Sequence, residues 1–255
     1  MGTRKHLLLA GSGLACVLAL GLAGCSSDNS IGPSANTTSN VRVFNALSGV
    51  SGNAVTVTQR TTTATPMVNS LNYGQSTGYF LAPAGNGITT YVLQSGTQTV
   101  ITSGSVTLHP HNTGQNTGTS TIILAGIAGQ PSPNNPQILQ FQDGWPNNVP
   151  ANQSAIRFIN AAVGSPPLTL NNNASGTLTP LPNQQQISYT QSSFNPNYFN
   201  EPSGPYNFVV TDNAGHQWAT LPGQNLTSGL AYTVIVYGVY NSPLSIVVLT
   251  DTNSQ

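Results

Sequence analysis

Two short motifs in this 255-residue chain bring together residue types that could do chemistry. Gly74-Gln-Ser-Thr-Gly78 fits the G-x-S-x-G pattern, in which a tight strand-to-helix turn lifts a serine hydroxyl above a parallel sheet as a nucleophile. The next residues, Tyr79-Phe-Leu-Ala-Pro83, are a short apolar run closed by proline and not a helix. The sequence therefore puts Ser76 in a turn or at a strand edge. His109-Pro-His111 offers two imidazoles, but zinc wants three or four ligands, and no Asp, Glu or available Cys lies near them. The pair reads as part of an exposed loop running into Asn112-Thr-Gly-Gln-Asn-Thr-Gly118. A serine hydrolase or a metal enzyme is thus a remote alternative, and no catalytic residue, metal or cofactor is assigned. A third group is aromatic: Tyr189, Phe194, Tyr198, Phe199 and Tyr206 crowd together with Asn195-Pro196-Asn197 and Asn200. Exposed rings among amides could stack on sugars; the plainer reading is a core with a long loop.

The chemistry with the most complete motif is at the N-terminus. Arg4 and Lys5 precede an apolar stretch from Leu7 to Leu20, and small residues follow, as in a secretory signal. The stretch is short and glycine-rich for a membrane span of about 20 residues. It closes on Leu22-Ala23-Gly24-Cys25. That order resembles the bacterial lipobox, whose cysteine becomes the new N-terminus and carries acyl chains such as palmitate. Residues 1–24 are accordingly expected to be a signal peptide and Cys25 to be lipidated, which makes the membrane a partner. Ser26, in place of Asp, points to the outer membrane of the cell envelope, periplasmic or surface-facing. Cys16 would leave with the leader, so no disulfide could form within one mature chain.

Charged residues make up 4% of the chain, against about 25% in ordinary globular proteins. From Cys25 onward there are Arg42, Arg60 and Arg157, no Lys, and the acids Asp28, Asp143, Glu201, Asp212 and Asp251, a net side-chain charge of −2. Three scattered arginines cannot neutralise a run of phosphates, so nucleic acid is excluded as a partner. Asn, Gln, Ser and Thr must supply the polar surface. Such a neutral surface should tolerate changes of pH and salt.

Residues 25–40 are rich in Ser, Asn and Thr and read as a flexible tether. Beyond it come short runs of Val, Ile, Thr, Tyr and Phe separated by Gly, Pro and Asn, the pattern of an all-β chain. The strands are expected at 41–46, 54–59, 77–82, 88–94, 97–102, 119–127 and 137–142, and again at 155–161, 167–171, 186–190, 206–211, 216–220, 231–238 and 244–250. The two sets repeat each other. Val41-Arg-Val-Phe-Asn-Ala46 matches Ile156-Arg-Phe-Ile-Asn-Ala161, and Tyr73-Gly-Gln-Ser76 matches Tyr189-Thr-Gln-Ser192. Ser120-Thr-Ile-Ile-Leu-Ala-Gly126 matches Tyr232-Thr-Val-Ile-Val-Tyr-Gly238, and Ile138-Leu-Gln-Phe-Gln-Asp143 matches Ile246-Val-Val-Leu-Thr-Asp251. A period above 100 residues means tandem domains, each of a size that suits a β-sandwich. The units are set at 41–145 and 155–255, with a linker at 146–154. The unbroken apolar runs Ile122–Ala125 and Val234–Tyr237 should be central strands covered on both faces.

The opening apolar-Arg-apolar-apolar-Asn-Ala motif, the Tyr232-Thr-Val-Ile-Val-Tyr-Gly238 strand and the tandem layout resemble the domain-of-unknown-function family numbered 4397, over roughly 41–143 and 155–251. The resemblance implies two tandem copies of a secreted or lipid-anchored bacterial β-domain, without an established chemistry. The fold expected is two tandem antiparallel β-sandwiches of immunoglobulin or transthyretin layout.

The repeat also keeps charges in place. Arg42 and Arg157 share one repeat position; Asp143 and Asp251 share another. One reading is a binding site built once per unit. The preferred one is structural: an Arg–Asp pair joining the first and last strands within each sandwich, with the charged groups within about 4 Å. The function expected is that of a non-catalytic envelope lipoprotein with a binding, adhesive or scaffolding role toward a protein or glycan partner, the alternative being a carbohydrate-binding module at the cell surface.

Overall fold

Side chains on a strand point alternately to its two faces, and the opening strand shows what this chain does with both. The first strand, β1 (Thr38–Asn45), is buried at every position after Thr38. Val41 and Val43 enter one apolar cluster, while Phe44 on the opposite face enters another with Ala46. The strand has no solvent side. The computed structural model in which this is seen describes residues 38–50, 54–60, 64–94, 99–110, 118–144, 148–193 and 198–251.

The described residues form sixteen strands. The first eight are β1, β2 (Ala54–Arg60), β3 (Ala64–Asn72), β4 (Phe80–Pro83), β5 (Gly85–Gln94), β6 (Thr99–Leu108), β7 (Thr119–Ala125) and β8 (Gln137–Gln142). The second eight are β9 (Gln153–Val163), β10 (Thr169–Asn172), β11 (Thr179–Pro180), β12 (Phe199–Pro202), β13 (Gly204–Thr211), β14 (Gln217–Leu226), β15 (Ala231–Val239) and β16 (Ser245–Asp251). The first set makes the sheets β4-β1-β7-β8 and β3-β2-β5-β6; the second makes β12-β9-β15-β16 and β11-β10-β13-β14. Adding eight to each strand number turns the first pair of sheets into the second, so the sequence repeat is a repeat of topology.

Each pair of sheets is a sandwich with its own apolar filling. Val41, Val43, Ile122 and Leu124 pack with Val55, Val57 and Leu108 in the first. Ile156, Phe158, Val234 and Val236 pack with Leu170, Phe208 and Val210 in the second. A third cluster lies between the sandwiches: Phe44, Ile123, Ala125 and Phe141 meet Ile159, Ala161 and Ile235. The β1 and β9 sheets therefore stack face to face, giving four layers of sheet with a layer of buried side chains between each neighbouring pair. The described residues all fall within one compact unit. No helix among the described residues is long and apolar enough to cross a membrane.

The architecture is the expected all-β one, with one pairing the sequence does not suggest. β1 runs parallel to β7, and β9 parallel to β15, within otherwise antiparallel sheets. Parallel neighbours need a long crossover, and here the whole β2–β6 excursion through the other sheet supplies it. Parallel strands buried on both faces read as unbroken apolar runs. β7 and β15 do so, as the Ile122–Ala125 and Val234–Tyr237 runs imply. Three strands escape the sequence reading: β3, β11 and β12. All are sheet edges, and each carries a proline (Pro66, Pro180 and Pro202), which edges tolerate and central strands do not. The segment 186–190 is not a strand; Ile187 makes one isolated bridge to Leu168. Thr38, Ser39 and Asn40, placed in the tether by composition, open β1.

Candidate functional site

Because side chains alternate, the face of β1 that carries Phe44 also carries Arg42, and the face of β9 that carries Ile159 also carries Arg157. Both arginines are thereby driven into the layer between the sandwiches. There they are 3% and 0% exposed. The same alternation brings Thr121, Thr233, Asp143 and Asp251 to this layer, all buried. Arg42 Nη2 donates to Asp251 Oδ1 at 2.6 Å and to Thr121 Oγ1 at 2.8 Å, and Arg42 Nη1 donates to the Thr250 carbonyl at 3.3 Å. Arg157 repeats this: Nη2 donates to Asp143 Oδ1 at 2.5 Å and to Thr233 Oγ1 at 2.8 Å, and Nη1 to the Gln142 carbonyl at 2.8 Å. The threonine hydroxyls pass their own protons on, Thr121 to Asp143 and Thr233 to Asp251, each at 2.8 Å. Each guanidinium lies under a tyrosine ring, Arg42 at 4.7 Å from the Tyr79 centroid and Arg157 at 4.8 Å from that of Tyr198. The Tyr79 hydroxyl donates to Asp143 at 2.9 Å and lies 3.4 Å from Asp251.

This corrects the pairing expected from sequence. Arg42 does not bind Asp143 of its own repeat, nor Arg157 Asp251. The ion pairs cross: the first repeat's arginine takes the second repeat's aspartate, and the reverse. The physical reason is topological. β7 lies between β1 and β8 in the sheet, so within a repeat the arginine meets the central strand's threonine first, and that hydroxyl bridges it to its own aspartate. The opposing sheet brings the other aspartate directly onto the guanidinium. Burial alone would disfavour both charges; Asp251 beside Arg42, and Tyr198 and Asp143 beside Arg157, hold the two guanidiniums above the ordinary arginine range. Burial, followed by the nearby carboxylates, pushes the Tyr79 phenol far up, and burial does the same to Tyr198. Both tyrosines stay neutral at any physiological pH.

The remaining described acids are also held inside the fold. Asp143, Glu201, Asp212 and Asp251 are each at most 9% exposed. Asp212 opens the β13–β14 turn, where it accepts from the Ala214 and His216 N–H groups and from Trp218 Nε1. Burial by itself would raise its pKa; those hydrogen bonds, led by Trp218, bring it down to about 2. Burial raises Glu201 to about 7.

The repeated asparagine and the Tyr-x-Gln-Ser motif turn out to be one device. Asn45 Nδ2 donates to the Leu71 carbonyl, and its Oδ1 accepts from Leu47 N–H; Asn160 does the same with Ile187 and Ala162. Gly74 N–H donates to the Asn45 carbonyl and Thr190 N–H to that of Asn160. The asparagine pins a turn against the first strand in each repeat. Ser76 lies just past that turn, in an isolated bridge to Phe44. It borders a cleft of about 210 Å³ whose other lining residues are Arg42, Thr77, Gly78, Tyr79, Val248, Leu249 and Thr250. None is a histidine or carboxylate that could take the serine's proton. A strand-edge serine is what the sequence implied.

His109 is exposed; His111 lies outside the described residues, among which no cluster of metal-binding side chains occurs. Of the aromatic group, Tyr198 and Tyr206 are buried, Tyr189 and Phe199 half-buried, and Phe194 lies outside the described residues. Tyr206 stacks on Phe208 at 5.3 Å and donates to the Pro202 carbonyl. The four described members do not form an exposed platform. The aromatic pair the sequence reading missed is Trp218 with Tyr240, half-buried with ring centroids 4.4 Å apart beside Asp212 and the exposed His216. Only topology joins it, since Tyr240 comes after β15 and Trp218 lies on β14. Leu22, Ala23, Gly24 and Cys25 lie outside the described residues.

A family model described as a domain of unknown function (DUF4397) matches residues 39–171, from β1 through β10. No curated protein matches. Among solved structures the chain is similar to CBMbc (family CBM26) of Amy13K from Eubacterium rectale, in complex with maltoheptaose, at 12% identity over 84% of this chain and 98% of that one, TM-score 0.24. It is also similar to a proposed cell adhesion protein from Bacteroides uniformis, at 6% identity over 84% and 97%, TM-score 0.25. Another from Bacteroides ovatus gives 12% identity over 84% and 96%, TM-score 0.22.

Proposed function

We propose, for a chain that belongs to this family of domains of unknown function, a non-catalytic role: an envelope lipoprotein held at the membrane through Cys25, whose rigid double sandwich presents a neutral binding surface to a protein or glycan. One observation carries the reading. Every carboxylate among the described residues is buried, and two of the four neutralise buried arginines. No carboxylate or histidine lines the Ser76 cleft to act as a general base, and apart from His109 and His216 the exposed polar side chains described are amides and hydroxyls that can hydrogen-bond a neutral partner. Acyl chains contribute about 0.8 kcal/mol per buried methylene, which suits a body that has no charged patch for lipid headgroups among its described residues.

The test has two parts. Mass spectrometry of the protein made with its leader in a Gram-negative host should find residues 1–24 removed and Cys25 acylated, and Cys25→Ser should release the chain from membranes. Unmodified Cys25 with an intact leader would contradict the placement, and covalent labelling of Ser76 by a fluorophosphonate would contradict the absence of catalysis. The carbohydrate-binding alternative has its own observation, the Trp218–Tyr240 pair beside Asp212 and His216 of the β13–β14 turn. Binding on a glycan array that Trp218→Ala abolishes would select it.

A further inference from the structure

The charges of the inter-repeat layer obey a two-fold relation, but its shape does not. Register fixes the equivalences. Thr121 pairs with Arg42 and Thr233 with Arg157, so four residues further along Ala125 is the counterpart of Tyr237. Gly74 and Thr190 donate to equivalent asparagine carbonyls and share a left-handed backbone, φ 76° and 70°. Phe44 corresponds to Ile159 and Tyr73 to Tyr189. On one side of the layer, Tyr237 of the second repeat reaches across to the first. Its ring meets Phe44 edge-on at 5.1 Å and Tyr73 at 5.4 Å. A Cβ at Gly74 would lie 2.7 Å from its hydroxyl and 3.3 Å from Cζ. Glycine is needed there twice over, for its φ and for the ring. On the equivalent side the large partner is replaced by Ala125, and the small one by Thr190.

We infer that Tyr237 is a steric key which makes the face of each repeat fit the unlike repeat. The reciprocal arginine–aspartate pairs would serve two like repeats equally well, since each repeat carries one of each. Shape would not. Two second repeats would bring Tyr237 onto Thr190, a β-branched residue already held at positive φ. Two first repeats would set Ala125 against Gly74 and leave the space of a ring unfilled. Electrostatics sets the register of the pairing and the tyrosine sets its order. This rests on the fold alone and stands apart from the binding role.

The test is transfer of the key in the full mature chain. Ala125→Tyr should lower Tm by about 4–10 °C through overpacking against Thr190. Adding Thr190→Gly should recover more than half of that loss, beyond what Thr190→Gly does alone by easing the backbone. The fully reversed chain, with Gly74→Thr, Tyr237→Ala, Ala125→Tyr and Thr190→Gly together, should melt well above the half-reversed chain carrying only Gly74→Thr and Ala125→Tyr. If Ala125→Tyr does not fold, the milder pair decides: Gly74→Ala lowers Tm, and Tyr237→Phe, which removes the crowded hydroxyl, restores part of it. Additive effects at both sites, or reversed and half-reversed chains of equal stability, would overturn the inference.

Discussion

The β1 sheet has two buried faces, and they are built differently. The face toward the first sandwich core is apolar at its centre, where Val41, Val43, Ile122 and Leu124 meet Val55, Val57 and Leu108; its buried polar side chains, Ser39, Asn45 and Ser120, are uncharged. The face toward the second repeat mixes Phe44, Ile123 and Phe141 with Arg42, Thr121 and Asp143. Apolar surface drives association but specifies position weakly, because burial is roughly proportional to area. A buried ion pair adds little net stability, since desolvation offsets its attraction; its best-attested use is to fix register. The outer cores therefore supply the free energy of each sandwich, and the shared layer specifies how two sandwiches meet. Crossing the pairs makes that specification mutual: neither repeat can satisfy its arginine alone.

The largest effect should come from breaking one crossed pair. Asp251→Leu leaves Arg42 buried without its carboxylate and should cost about 3–5 kcal/mol, read as a fall in Tm in thermal unfolding. Removing apolar volume from the outer core, as in Leu124→Ala, should cost about 2–5 kcal/mol, but without touching the coupling between Arg42 and Asp251. If both substitutions proved equally coupled to Arg42, the contrast between the faces would fail. Replacing the whole pair, Arg42→Met with Asp251→Leu, should be far milder than Asp251→Leu alone. Hydrophobic replacements of complete pairs are often neutral or stabilising by about 1–4 kcal/mol.

Smaller effects come from pH, away from both faces. Glu201 is raised from 4.5 to about 7 by burial. The folded state thus holds its proton more tightly than the unfolded chain, and the associated stability is complete below pH 4.5 and lost as pH rises through about 7. Tm at pH 5 should exceed that at pH 8, and Glu201→Gln should flatten the difference. Asp212 acts in the opposite sense. Its pKa is lowered from 3.8 to about 2, so its contribution is present above pH 3.8 and disappears as pH falls through about 2. Trp218→Phe, which removes one donor, should shrink that acid loss without changing stability at neutral pH by more than about 2 kcal/mol, the net worth of one such bond.

How far the chain could be read without its structure depends on what each feature needs. The double-sided burial of Ile122–Ala125 was legible, because a run with no polar position can only be covered on both faces. So was the equivalence of Arg42 with Arg157 and of Asp143 with Asp251, because both survive in a repeat of a chain that has very few charges to keep. Their partners were not legible. Two arginines and two aspartates allow a parallel and a crossed pairing, and the choice depends on β7 lying between β1 and β8, a parallel neighbour with no local signal. The edge strands β3, β11 and β12 were hidden for a simpler reason: proline and asparagine at an edge look like a loop. Asn45 and Asn160 were visible as matching letters, but their role in pinning the turns at Gly74 and Thr190 needed the backbone.

The most direct measurement is a set of three double-mutant cycles by urea unfolding. The account predicts a coupling energy for Arg42→Met with Asp251→Leu that is several-fold larger than for Arg42→Met with Asp143→Leu, matched by Arg157 with Asp143. A larger coupling between Arg42 and Asp143, within one repeat, would contradict it.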